Sequence, residues 1–301
     1  MTITTFASMF TGLGGADIGA IQAGLTPLWG VESDAKIRLI TKANKLKKIH
    51  EDVRYVDYSA VEPADWLHAS PPCLNASVAN PTGEETLHDT ILTAAILRAV
   101  EATQPKVFSL ENVAAYEGFK CFGELVEVLR YSGYTVAYTR LDARWYGVPQ
   151  TRVRLVLIAK KGEQLVRWPT VNDDIQGWAT VVESAPQPEG KLSARMVKKL
   201  TSVAMPYKPF LASGWNYTRP LTTRLGDETA PTVTATMNRP SLLPWRITPD
   251  SQRPLTLREM ARLQSIPDSW KIPKTPTGFK AIGNAVPPTM MQVLIEANSN
   301  D

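Results

Sequence analysis

The sequence predicts an α/β fold, a doubly wound and mostly parallel sheet, with a second, smaller and irregular domain. Three observations predict it. Short apolar strands alternate with helical patterns through the first half of the chain, which is how a parallel sheet with crossover helices reads. A glycine turn, FTGLGG at positions 10–15, joins the first strand to the first helix, where such folds bend sharply around a ligand. Beyond about Gly162 the periodicity fades, and the chain becomes rich in Pro, Thr and Trp.

Each element has its own signal. ITTFASMF is a strand that runs into the turn and helix TGLGGADIGA. LTPLWGVES is the second strand, and the lysine-rich DAKIRLITKANKLKK a helix. DWLHAS is a short strand ending at Ser70. Leu87, Ile91, Ala94, Leu97 and Val100 recur at three- and four-residue spacing, which predicts an amphipathic helix with those residues inward. KVFSLENV is a strand, CFGELVEVLRYSG a helix, and TVAYTRLDA and RVRLVLIAKK two further strands. In the irregular stretch LSARMVKKLTSV reads as a helix and APTVTATM as a strand. RPLTLREMARLQ is a helix with Thr256 as N-cap and Glu259 three residues on, a capping-box pattern. GNAVPPTMMQVLIEAN closes the chain as a turn and a helix. The expected domains are 1–164 (catalytic and cofactor-binding), 165–252 (small) and 253–301 (returning to the first).

Bulk properties narrow the function. The 301 residues are 44% hydrophobic with a formal net charge of +4, a mild lean toward polyanions. The two cysteines, Cys73 and Cys121, and three histidines lack metal-ligand or disulfide spacing. A reducing compartment, the cytoplasm, is expected, with no metal. No apolar run is long enough to cross a bilayer, and MTITTFASMF lacks the basic start of a signal peptide.

Four motifs carry chemistry. The glycine turn, with Glu32 ending the second strand where an acidic group can take ribose hydroxyls, suggests an adenosine cofactor. The spacing is not G-x-G-x-x-G, and Asp17 follows where a pyrophosphate would sit badly, so S-adenosylmethionine is favoured over NAD. A turn serving only strand–helix packing reads the same way. Cys73 follows Pro71 and Pro72 just past a strand end, where doubly wound folds place chemistry; LNASVANPTGEE after it suits an active-site loop. Glu111 ends the strand KVFSLENV among apolar neighbours, a carboxylate suited to hold a proton or a turn carboxylate. Gln150, Arg152 and Arg154 recur at a period of two; on a strand they share one face, to grip a phosphate or carbonyl oxygen or to form a solvated edge.

Taken in order, FTGLGG, SPPC, ENV, QTRVR, RPLTLREMARLQ and GNAVPP resemble the cytosine-5 DNA methyltransferase family, over most of the chain except Leu165–Asp250. The resemblance implies a Rossmann-like, S-adenosylmethionine-dependent methyltransferase acting on double-stranded DNA as a monomer. A cognate restriction endonuclease is implied as a functional partner, and 165–252 becomes the target-recognition domain. Phe10 would stack on adenine, with Thr11, Gly12, Leu13 and Gly14 around the methionine end. Glu32 would bind the ribose, with Ser33 beside it. Asp52 and Val53 would meet the adenine edge, Pro72 would line the pocket, and Asn284 and Ala285 would close it. Cys73 would be the nucleophile, Glu111 the partner of the cytosine ring nitrogen and Arg154 that of its carbonyl. Arg152 would meet DNA or brace the site, and Ser77, Gln150, Lys191, Arg195 and Lys198 would meet DNA.

The sequence departs from the family at Leu74, where glutamine is usual, and at Ser33, where a large apolar residue is common. Three other readings stay open on the sequence: a transfer-RNA-modifying relative, suggested by FKCF around Cys121; a DNA-binding homologue without methyl transfer; and an NAD-dependent oxidoreductase.

Overall fold

The structure is a computed structural model, and it describes residues 2–46, 49–72, 83–183, 210–213, 222–235, 243–245 and 255–299. By its internal contacts the chain divides into two compact units. One comprises Met1–Asp142, Val153–Thr170 and Ala285–Asp301; the other comprises Ala143–Arg152 and Val171–Asn284. Of the expected C-terminal segment, only 285–301 groups with the first unit, while 255–284 groups with the second.

The first unit is built on strands β1 (Thr5–Met9), β2 (Thr26–Val31), β3 (Ile49–His50), β4 (Trp66–Ala69), β5 (Val107–Val113), β6 (Tyr134–Asp142) and β7 (Val153–Lys161). They form one sheet in the order β3-β2-β1-β4-β5-β7-β6. The β3 to β5 ladders are parallel, and β7 runs antiparallel to both β5 and β6. The chain order reverses between β1 and β4, the switch point where open sheets of this kind take ligands at their carboxyl edge.

Helices α1 (Gly15–Gln22), α2 (Ala35–Ala43), α3 (Leu87–Thr103) and α4 (Lys120–Tyr131) link the strands. The core against α3 and α4 holds Met9, Trp29, Leu67, Phe108, Leu110, Ile96, Phe122, Leu125 and Leu157. The face expected of α3 is only partly the one it buries, since Val100 and Leu97 pack on the core as expected. Leu92, Ala95, Ile96, Ala99 and Val100 point inward, whereas Leu87 and Ile91 are exposed. Ala and Thr alternate with Leu, Ile and Val all round this helix, so its apolar pattern fixes no single face and packing on the sheet chooses it.

In the second unit, helices α5 (Leu257–Leu263) and α6 (Pro276–Asn284) stand with a three-stranded antiparallel sheet, β8 (Phe210–Ser213), β9 (Thr222–Leu225) and β10 (Leu243–Trp245), in the order β10-β8-β9. The capping box of α5 forms. Thr256 Oγ1 accepts from the Glu259 amide at 3.1 Å, and Glu259 Oε2 accepts from the Thr256 amide at 2.8 Å. The strand expected from Ala230 is only a bridge from Ala230 to Gln150. From there to Ala235 the backbone is irregular, because Thr232 and Val233 bond to Thr151 and Gln150 rather than to a neighbouring strand. The helix expected at 192–203 lies outside the described residues.

The last helix, α7 (Pro288–Ser299), belongs to the first unit and packs on α1. Gly15 makes that approach possible, since a Cβ there would sit 2.2 Å from the Val286 carbonyl oxygen. Gly15→Ala is expected to lose about 1–3 kcal/mol of stability through overpacking, read as a fall in Tm; an unchanged Tm would contradict this packing.

Candidate active site

The glycine turn lies at the carboxyl end of β1. Phe10 takes φ 60°, Gly12 φ 59° and Gly14 φ 96°, so two glycines and one strained phenylalanine carry left-handed backbone. The Thr11 amide bonds to the Val31 carbonyl, which fixes the turn to β2. The Leu13 side chain is sealed in the core, so only its backbone can meet a ligand.

Glu32 is tied into the same turn. Its Oε2 accepts from the Gly12 amide at 2.9 Å, and its Oε1 accepts from the Asp34 amide at 2.8 Å. Burial pushes the Glu32 carboxyl up, opposed by those two amides. Each oxygen keeps a further lone pair, so the carboxylate is held in place and still able to accept from a diol. Ser33 beside it is exposed, and its carbonyl accepts from Arg38.

Asp17 does not face a ligand. It is 1% exposed and accepts Ser8 Oγ at 3.0 Å, and Ser8 Oγ in turn lies 2.9 Å from Thr11 Oγ1. Burial pushes its carboxyl up to about 7. The expectation that its charge disfavours a pyrophosphate is therefore corrected: Asp17 buttresses the turn from inside.

Beyond β3, Asp52 forms a two-point ion pair with Arg54, Nε–Oδ1 3.0 Å and Nη2–Oδ2 2.6 Å, which holds its carboxyl below the usual range. Val53 is buried, and its carbonyl accepts the Tyr58 hydroxyl at 3.0 Å. Asn284 is exposed at the end of α6, and Ala285 is buried at the start of the last segment.

The segment leading to Cys73 is fastened from two sides. Asn112 Nδ2 donates to the Pro71 carbonyl at 3.1 Å, and Ser70 Oγ donates to the Phe10 carbonyl at 3.3 Å. Pro71 is buried and Pro72 exposed. These anchors went unassigned in the sequence; the signal was polar side chains placed beside two motifs. Cys73 itself lies outside the described residues, as do Leu74, Ser77, Lys191, Arg195 and Lys198.

Glu111 and Arg154 come together on neighbouring strands β5 and β7. Arg154 Nε lies 3.0 Å from Glu111 Oε1, with side chains 12% and 8% exposed. That oxygen is buried and makes no aligned hydrogen bond among the described residues. The cation beside it offsets the buried charge, and the carboxylate keeps lone pairs that can accept from a further group. The site therefore combines a guanidinium, a carboxylate with spare acceptor capacity, and the proline segment in front of a cysteine. No group of three or more metal-ligating side chains occurs among the described residues.

The expected strand face of Gln150, Arg152 and Arg154 is not formed. β7 begins at Val153, and Gln150 and Arg152 belong to the second unit. Gln150 is fully buried and donates to the Leu263 carbonyl and the Gln264 side chain, while accepting from the Val233 amide. Arg152 is 2% exposed and donates to the Val233 and Gly283 carbonyls at 3.0 and 3.1 Å. The DNA-contact expectation for Gln150 is corrected, since both ends of its amide are taken by buried partners, and of the two expectations for Arg152, grouped with the catalytic residues, the geometry matches bracing, its Nη1 and Nη2 being held by backbone carbonyls. Cys121 is buried against Tyr116, and burial pushes its thiol up, so it is an inert core thiol.

Comparison with known proteins now bears on this geometry. Residues 4–300 match the family model for C-5 cytosine-specific DNA methylase. The chain is similar to Type II methyltransferase M1.HphI of Haemophilus parahaemolyticus, at 27% identity over 97% of this chain and 86% of that protein. It is similar to Type II methyltransferase M.Bsp6I of Bacillus sp. (strain RFL6), at 28% identity over 93% of each. In structure it resembles the Schizosaccharomyces pombe Dnmt2 methyltransferase, with a TM-score of 0.75, 16% identity and 97% of both chains covered. The chain belongs to the C-5 cytosine-specific DNA methylase family.

Proposed function

We propose that the chain methylates carbon 5 of a cytosine flipped out of duplex DNA, with Cys73 as nucleophile. The observation that carries this reading is the buried Glu111–Arg154 pair, which stands on the strands next to the one that leads to Cys73.

The Cys73 thiolate adds at carbon 6, and the electron pair moves to carbon 5, which becomes nucleophilic. Glu111 meets the ring nitrogen, and Arg154 meets the carbonyl oxygen as it gains negative character. S-adenosylmethionine, the family's methyl donor, would supply the methyl group from its sulfonium and leave as the neutral thioether S-adenosylhomocysteine. The carbon-5 proton is then lost, the bond to sulfur breaks and the ring regains aromaticity. Carbon 6 is unreachable inside the stack, so the base is flipped, as in other base-modifying enzymes.

The chain's residues suit that donor. Gly12 and Gly14 leave backbone open to close approach, Glu32 is fixed to accept ribose hydroxyls, and Asp52 to accept the adenine amino group. Glu32→Ala is expected to weaken cofactor binding about 10- to 100-fold, the loss of charge-assisted hydrogen bonds; an unchanged Kd by titration calorimetry would argue against the ribose role.

Further proposals follow from the kinship. Residues 165–252 are read as the target-recognition domain, with Lys191, Arg195 and Lys198 on the DNA backbone, and Ser77, in the loop after Cys73, as a further DNA contact. The Type II names of the relatives support a cognate restriction endonuclease as functional partner, and the chain is read as a monomer working in the cytoplasm. No helix among the described residues is long and apolar enough to cross a membrane. Bisulfite sequencing of DNA from cells that express the chain tests activity and target together. Conversion-resistant cytosines in one sequence context support the reading, and unmodified DNA contradicts it.

A further inference from the structure

We propose that the solvent face of α2 and the turn after it binds the phosphate backbone of a second DNA segment, away from the one being methylated. The proposal rests on the reading of the chain as a DNA methyltransferase.

Charge is the first argument. Residues 34–48 hold six basic residues and one acidic residue, a net +5, while the whole chain has a net +4. Six bases against one acid make this short segment a concentrated positive surface suited to a polyanion. Lys36, Lys42 and Lys45 are exposed, and the 65% exposed Leu39 lies between them. Lys36, Leu39 and Lys42 follow at three-residue spacing and share a face. None of these lysines is within ion-pair distance of an acid among the described residues, whereas Arg38 is spent on Glu51 and on the Glu32 and Ser33 carbonyls.

Backbone strain is the second. The end of α2 closes with two bonds, Leu46 N–H to the Thr41 carbonyl and Lys45 N–H to the Lys42 carbonyl. That pattern places a left-handed residue at the position glycine usually fills. Here it is Lys45, at φ 60°. A side chain carries a conformational penalty there that glycine avoids. A lysine kept at a glycine position in a strongly basic segment points to a role for its charge.

Placement is the third. β2 and β3 run parallel, so α2 carries the chain from the carboxyl edge of the sheet, beside Glu32, back toward the amino edge. Lys42 and Lys45 lie at the far end of the helix, ~13 Å along it, on the side away from the glycine turn. A duplex presented to the carboxyl edge does not occupy this face, and a second segment fits it. Contact with two segments at once permits direct transfer between them.

The test uses the full-length protein, a labelled short duplex containing the target and unlabelled non-target duplex as competitor. In the unmodified protein, dissociation of the labelled duplex is expected to speed up as competitor rises. In Lys42→Gln/Lys45→Gln it becomes independent of competitor. The salt slope of non-target binding falls by about 2, near 0.9 per lysine, while methyl transfer to the short duplex is unchanged. Lys45→Gly should raise Tm by about 2–4 °C and still lose part of the competitor response. Competitor-independent dissociation in the unmodified protein, or an undiminished response in either variant, overturns the proposal. So does binding to phosphatidylserine vesicles that the double variant loses while its competitor response stays intact, which would make the face a lipid surface. Failure of methyl transfer in the unmodified protein strikes the catalytic reading instead, and the salt slope still reports on this face.

Discussion

Glu111→Gln is expected to lower kcat about 10²- to 10⁴-fold while leaving the Kd for cofactor unchanged. The amide matches the carboxylate in shape but cannot deliver or take a proton at the ring nitrogen, so charge building there during attack goes uncompensated. Arg154→Ala is expected to fall in the same range, since it removes both the proposed carbonyl contact and the cation 3.0 Å from Glu111. In the proposed mechanism the two residues act as one unit. The double variant should therefore be little worse than the poorer single one, as is usual when groups share a step. Single-turnover kinetics with a short duplex measure this, with circular dichroism to confirm the fold. Losses that multiply, or a matching loss of cofactor affinity, would contradict the pairing.

Asp17→Asn is expected to stabilise the protein at alkaline pH and to do little in acid. The Asp17 carboxyl, pushed up to about 7 by burial, compares with ~4 in an unfolded chain. The folded state thus holds a proton that the unfolded state has released between those values. Stability from this group is complete below about pH 4 and is lost as pH rises toward 7, by up to ~4 kcal/mol in all. Asparagine cannot ionise, so that slope disappears from the variant while Ser8 keeps an acceptor. The difference in Tm between variant and parent, followed from pH 5 to 8, should grow with pH. Parallel curves would show that Asp17 is already ionised in the fold.

Much of this architecture was legible in the sequence, and the exceptions have physical causes. Strand and helix alternation gave six of the seven strands of the first sheet, all but the two-residue β3, strand-end position picked out Glu32 and Glu111, and the basic run picked out Arg154. The period of two at Gln150, Arg152 and Arg154 misled, because the strand starts only at Val153 and the preceding residues turn into the second unit. Their burial comes from residues about 80 to 130 positions away, which no local pattern encodes. α3 misled for the opposite reason: with small and apolar residues on all sides, it offers more than one plausible inner face. Gly15 was read with the ligand turn, but its neighbour is Val286, brought there by the last helix. The Asp17–Ser8–Thr11 chain was invisible, since an acid after a glycine turn looks the same whether it points out or in.

Covalent capture tests the thiol most directly. Duplex DNA carrying 5-fluorocytosine at the target, mixed with protein and S-adenosylmethionine, presents a ring whose fluorine cannot leave as the proton does. The account predicts a stoichiometric protein–DNA adduct that survives denaturation, requires the methyl donor and is absent from Cys73→Ser. An adduct that persists without that sulfur, or none from a protein that methylates ordinary cytosine, would contradict it.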